Sequence, residues 1–536
     1  MTLAAWMILV PFMGGVACLL LRGRAVAWVG LAASAATAWT CLPLLRHVWH
    51  SGPVRIDLGG WAAPMGIGLY LDGLGAMFLL LTAIVGLLVG VYALAFFGRG
   101  REYARMEPYF WPVWLVLWGG LNGVYLSVDV FNVYVLLEMV GLGAVGLTVL
   151  SGTNDSLVAG LRYLLATMFG SLIYLLGVAL LYAQTGHLDI FLLADAVDGS
   201  LPVLVAFGLM TGGLLIKAAL LPFHFWLPPA HAGAPAPVSA ILSGMVTKAS
   251  FFLLLRIWFV VFPDVTAPVA GQLLGVLGAA AVLWGSLQAV RQTRLKLLVA
   301  YSTVGQLGYL FFLFALLTPA GGEAWSEGWA SMAWTGTVFH VFSHGLAKAA
   351  LFMAAGCLVL AMGTDELAAM RDIAGRLPVV TFTLGVAGVS LMGLPPSVGF
   401  VAKWMLLKAS LASGQWWWAV VIAMGGLLTA AYVFKILSFT FVPVGGHDAN
   451  ARPKAGPKAG RNVDQGANEH QGPKNSGVPE LRPVPALMTL AALTLAALCV
   501  LFGFRAEEVI ALLLRDMGLE PPFDAVLIGN IGGDRP

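Results

Sequence analysis

In a chain of 536 residues, 60% are hydrophobic and only 10% are charged, whereas soluble globular proteins carry about 25% charged residues. That balance excludes a soluble enzyme, and a formal net charge of +3 offers no basic surface for nucleic acid. Apolar runs of about 20 residues, enough to cross a bilayer, recur from the first residues to Phe504. They segment into roughly 14 transmembrane helices without strand-like alternation, so an all-α integral membrane fold is expected.

The first run, "MTLAAWMILVPFMGGVACLLLRGR", has no basic residue ahead of its apolar stretch, unlike a cleaved signal peptide, and is expected to remain as the first helix. With the N-terminus outside, alternate loops carry Arg22 and Arg24, Arg99 to Arg105, Arg291 to Lys296, and Arg371 to Arg376. Opposing loops such as "TGHLDIFLLADAVDGS" contain no Lys or Arg, which places the basic loops on the cytoplasmic side. "GLGAVG" (Gly141 to Gly146) fits GxGxxG, yet it lies inside a spanning run with no preceding strand. Close helix packing is the reading adopted for it, not nucleotide binding. The four cysteines, Cys18, Cys41, Cys357 and Cys499, sit in apolar segments without metal or redox spacing, so no cofactor is expected. Residues 443–483, rich in Gly, Pro, Lys and Asn, read as a disordered cytoplasmic loop before the last helix.

Against this background the ionisable residues inside apolar runs need a reason, because each costs about 2.5–3.5 kcal/mol at mid-bilayer. Glu138 lies far from either end of "DVFNVYVLLEMVGLGAVGLTVL", and Lys217 and Lys248 lie in consecutive later runs. A glutamate and lysines at one depth suggest an ion path in which burial and pairing tune proton affinity. His340, His344 and Lys348 follow one another at i, i+4 and share one helix face over about 12 Å. No further ligands converge on them as a zinc site would need, and a stripe of imidazoles suits a proton relay. Lys217 precedes Pro222, and Lys403 follows Pro395 and Pro396. Both prolines interrupt spans, and freed backbone groups at that depth must face protein or a water-filled cavity. Paired breaks in the two halves point to inverted repeats with an ion site near the midplane. His224 and His231 are candidate entry residues, with solvated loop positions as the alternative. Lys435 is expected to snorkel from a helix end, and Asp72 and Asp129 to lie near the interfaces.

"LNGVYLSVDVFNVYVLLEM", "KAALLPFHFWLPPAHAGAPAPVSAILSGMVTK", "AYSTVGQLGYLF", "HVFSHGLAKAALF" and "GLPPSVGFVAKW" resemble, in this order, the antiporter-like proton-channel family. Its members are the large membrane subunits of respiratory complex I and of membrane-bound hydrogenases, and the A-type and D-type subunits of multisubunit Na+/H+ antiporters. The resemblance runs from about Leu69 to about Phe441 and looks strongest to the D-type antiporter subunits. It implies 14 helices with two inverted five-helix repeats, each with a broken helix. The organisation expected is N-terminal helices at 1–108, repeats at 109–263 and 264–442, the 443–483 loop, and a last helix and tail at 484–536. It also implies that Glu138, Lys217, Lys248, His340, His344, Lys348 and Lys403 form the proton path. The implied partners are protons, Na+ in an antiporter, the bilayer and other membrane subunits. Any redox chemistry would belong to those other subunits. The setting expected is a bacterial-type inner membrane.

Overall fold

The computed structural model describes residues 3–99, 103–263, 266–317, 328–443 and 481–515. The expected loop at 443–483 lies almost wholly outside the described residues. The chain opens with α1 (Leu3–Leu20), α2 (Arg24–Ser51) and α3 (Gly73–Phe97). Next come α4 (Glu107–Leu126), α5 (Val130–Ser151) and α6 (Asn154–Thr185). An interrupted helix supplies α7 (Leu201–Lys217) and α8 (Leu227–Gly233). It is followed by α9 (Ala236–Val261), α10 (Pro268–Arg291), α11 (Leu295–Leu316) and α12 (Gly328–Met362). A second interrupted helix supplies α13 (Pro378–Met392) and α14 (Val398–Ala412). The described chain then runs through α15 (Trp416–Phe441) and α16 (Ala486–Phe504) to α17 (Ala506–Arg515).

Eleven of these helices are long and apolar enough to cross a membrane. Against the roughly 14 crossings expected, α4 is long enough but less apolar, and α7 and α13 are short because their spans are interrupted. The prolines act where the sequence puts them, ending α7 before Pro222 and separating α13 from α14 at Pro395 and Pro396.

Burial is layered. The span of α9 is buried throughout, α11 and α12 nearly so, whereas α1, α2, α15 and α16 leave a broad apolar face open. Close helix contact depends on small residues: a Cβ on Gly213 of α7 would lie 2.3 Å from the Gly170 carbonyl oxygen of α6. "GLGAVG" lies within α5, where Gly143 packs on Leu117 of α4, which is the packing role expected.

Beyond the helices, the expectation of helix alone misses one short hairpin between α2 and α3. Strand β1 (Val54–Asp57) pairs antiparallel with β2 (Gly68–Leu71), Val54 opposite Leu71 and Asp57 opposite Gly68. Four-residue strands are too short to show alternation in a membrane-protein sequence. The hairpin bridges to Ser127 through Leu69, and Arg55 donates to Asp189 at 2.7 Å ahead of α7. Asp72 caps α3 by accepting from the Gly75 amide at 2.9 Å. Its carboxylate also receives Arg256 of α9 as a two-point contact at 2.7 and 2.5 Å. Burial pushes the Asp72 carboxyl up and Arg256 pulls it down, with the net result below its ordinary value. Arg256→Gln is therefore expected to destabilise the chain by about 3–5 kcal/mol by stranding Asp72. Adding Asp72→Asn should recover part of that loss, as thermal unfolding of the two variants in detergent would show.

Candidate functional site

At the first break, α7 ends at Lys217 and the backbone passes through Ala219 at φ +55°, a left-handed conformation that a Cβ-bearing residue adopts only when its surroundings impose it. The indole of Trp226 donates to the Ile216 carbonyl at 3.1 Å and its ring stacks on Tyr163 of α6, fixing the end of α7. Lys217 is buried, and its Nζ donates to Glu138 Oε1 at 3.0 Å and to the Leu137 carbonyl at 3.5 Å. The hydroxyl of Ser171 on α6 donates to the same Glu138 oxygen. Glu138 and Lys217, distant in sequence, thus form one ion pair across α5 and α7, and the Glu138 side chain remains 24% exposed at the flank of the bundle. Beside Lys217 lies a cavity of about 20 Å³ bounded by Gly141, Thr167, Val246 and Ser250, large enough for about one water. It reaches α9 within a turn of Lys248.

Lys248 is fully buried and donates to the Ser243 carbonyl on its own helix, where residues Leu242–Val246 form a widened turn. Ser243 and Thr303 of α11 share a hydroxyl hydrogen bond at 2.9 Å. On α12, Lys348 donates to the Val299 carbonyl at 3.0 Å and to the Ser302 hydroxyl. His340 Nε2 lies 3.0 Å from the Gln306 carbonyl; a carbonyl only accepts, so Nε2 carries the proton and Nδ1 is the free acceptor. Both ring nitrogens of His344 lack a partner among the described residues. His340 and His344 stack with centroids 6.1 Å apart, and the charged neighbours of His344 are Lys248, Lys348 and Lys403 together with His340.

The second break mirrors the first with the lysine on its far side. Lys403, in α14, reaches back to the carbonyls of Leu391 at 2.7 Å and Met392 at 3.4 Å, where α13 stops. Its ammonium lies 4.5 Å from the Tyr309 ring centroid, and that ring is 5.1 Å from His340. Glu138, Lys217, Lys248, Lys348, His344, His340 and Lys403 therefore fall into one row through the bundle.

Of the two candidate entry residues, His231 is buried against Phe352, which rules out a solvated loop position, and His224 is half-buried in the turn after Pro222. Lys435 donates to the Val290 and Gln292 carbonyls at 2.7 Å each, closing the end of α10. Lys296, read in the sequence only as part of a basic loop, is buried and donates to the carbonyls of Ala232 and Ala234 just after His231. Several of the polar residues that the sequence did not single out lie on α11. Lys296, Ser302, Thr303 and Gln306 repeat at helical spacing toward the row, and Gln306 also donates to Thr429 at 3.1 Å and Tyr432 at 3.2 Å. That spacing in "LKLLVAYSTVGQ" was the available signal.

A helical bundle with buried ionisable residues along two broken helices defines a multi-pass membrane protein built around a polar row. The profile of the NADH:quinone oxidoreductase/Mrp antiporter membrane family matches residues 127–429, more than half of the chain, and the protein belongs to that family. It is 34% identical over 485 residues to the N subunit of the NADH-quinone oxidoreductase of Desulforudis audaxviator, covering 90% of each chain. It is 30% identical over 403 residues to the D-type Na(+)/H(+) antiporter subunit of Bacillus subtilis, covering 74% of this chain and 78% of that one. Among solved structures, a chain of the Mrp complex from Dietzia sp. superposes with a TM-score of 0.81 at 28% identity, covering 96% of both chains.

Gln306→Leu removes both side-chain bonds to α15 while leaving the backbone carbonyl that holds His340. It should cost about 1–3 kcal/mol of stability, read as a lowered midpoint in thermal unfolding.

Proposed function

We propose that this protein is the proton-translocating membrane subunit of a multisubunit Na+/H+ antiporter, seated in a bacterial-type inner membrane. The observation that carries the reading is the row from the Glu138–Lys217 pair to Lys403, buried in an otherwise apolar bundle. Such groups are retained in a membrane at a cost that ion transfer explains. In this reading each interrupted helix counts as one crossing, which makes 14 spans, and the two inverted repeats are 109–263 and 264–442. In this mechanism Glu138 holds the proton on Lys217 while the two are paired. Parting them releases the proton toward the cavity beside Gly141 and on to Lys248. Lys348, His344 and His340 carry it to Lys403, each imidazole able to take a proton on one ring nitrogen and give one from the other. His224 and His231 would admit it, and the carbonyls freed at Pro222, Pro395 and Pro396 would hold the water through which it passes.

A second reading makes the same row the pump of an NADH:quinone oxidoreductase-type complex, which the 34% identical relative favours. Copurification separates the two. Small antiporter subunits would support the first, and iron–sulfur and quinone-handling subunits the second.

In vesicles containing the assembled complex, Glu138→Gln or Lys217→Ala is expected to abolish cation-driven pH change, and retained transport in either would sink the proton path. Gly141→Val has a separate expected outcome. A Cβ there meets only Thr167 and Lys217, at 3.9 and 4.0 Å, so the fold should survive while the filled cavity slows transport by about tenfold or more.

A further inference from the structure

On the outer face of the bundle, α13 and α15 enclose an apolar groove of about 640 Å³. Phe382, Val389 and Met392 form one wall, Phe434 and Phe441 the other. Groove and helix run together from Pro378 to Met392, about 22 Å at 1.5 Å per residue, against about 15 Å for the hydrocarbon of one leaflet.

Three features at its open end concern something other than a hydrocarbon chain. Thr381 lines the groove, is 95% buried, counting from its 5% exposure, and its hydroxyl has no partner among the described residues, which a buried hydroxyl seldom tolerates. Ala374 and Pro378, both lining residues, bracket Arg376 in sequence. Arg371 lies just ahead, on a turn anchored where the Asp372 amide donates to the Val442 carbonyl at 2.9 Å, next to Phe441. Arg371 and Arg376 are exposed on this rim beside Asp372. The positive end of the α13 dipole faces the same way.

We propose that this groove is a binding site for an anionic glycerophospholipid. The acyl chain lies between α13 and α15, the ester oxygens meet the Thr381 hydroxyl, and the phosphate sits against Arg371 and Arg376 at the start of α13. A basic pocket between membrane helices is the chemistry that selects anionic over zwitterionic headgroups. The site stands apart from the proton path, with one point of contact: its inner end is Met392, whose carbonyl accepts from Lys403. Occupancy thus backs the segment that holds that lysine.

Native mass spectrometry tests this on the full chain, purified with the subunits that accompany it and exposed to micelles holding phosphatidylglycerol or phosphatidylcholine. Phosphatidylglycerol should be retained over phosphatidylcholine by about fivefold or more, and the Arg371→Gln, Arg376→Gln double variant should lose that preference. Gly385 faces the groove, and a Cβ there meets nothing within 4 Å. Gly385→Phe should therefore displace both lipids, with Gly385→Ala as the folding control. Equal retention of the two lipids by the wild type, or a preference that survives the double variant, would overturn the proposal. So would a Gly385→Cys chain that crosslinks to a partner protein, which would make the groove a protein interface. All of these readouts stand whether or not the chain moves protons.

Discussion

A buried ammonium brings three donors and no acceptor, so every lysine inside this bundle needs oxygens that an unbroken helix keeps for itself. The fold supplies them mostly where helices stop or widen. Lys403 takes the last carbonyls of α13, Lys296 those at the end of α8, Lys435 those at the end of α10, and Lys248 a carbonyl in the widened turn of its own helix. Except for the carbonyl that Lys248 takes inside its helix, those oxygens also form the negative end of a helix dipole. The breaks and the charges are therefore one feature: the same departure from regular helix frees the acceptors that make the lysine tolerable.

Lys217 departs from this pattern, because its main partner is a carboxylate. Three helices converge on Glu138, with α5 carrying it, α7 bringing Lys217 and α6 bringing Ser171. A carboxylate changes charge on protonation, whereas a backbone carbonyl does not. The first break thus holds a contact whose strength depends on protonation, and the second holds one that is fixed by geometry.

The sequence made the ionisable residues legible because charge in an apolar run is conspicuous, and it made the breaks legible because proline leaves few alternatives. What it hid was neutral. Ser302, Thr303 and Gln306 are unremarkable in composition, and their importance comes from α11 standing between α9, α12 and α15, which their helical spacing alone does not state. His231 could be read as loop or relay until its burial against Phe352 was seen. The β1–β2 hairpin was invisible because its four-residue strands are held by Arg55, Leu69 and residues far along the chain. Lys296 was in plain view but sat beside arginines, and a basic cluster looks solvated until one member is found turned inward.

The hairpin and its two ion pairs have a mechanical consequence. Arg55–Asp189 and Arg256–Asp72 staple one end of the first half, tying α3, α9 and the entry to α7 together. The α7–α8 element is therefore held on both sides of its joint at Ala219: ahead of α7 by these pairs, and at the end of α8 by Lys296 on the carbonyls of Ala232 and Ala234. Trp226 closes the joint itself by donating to the Ile216 carbonyl. An element pinned at its ends and across its middle keeps its register, and Lys217, two residues before the joint, is thereby aimed at Glu138 by the scaffold rather than by its own flexible side chain.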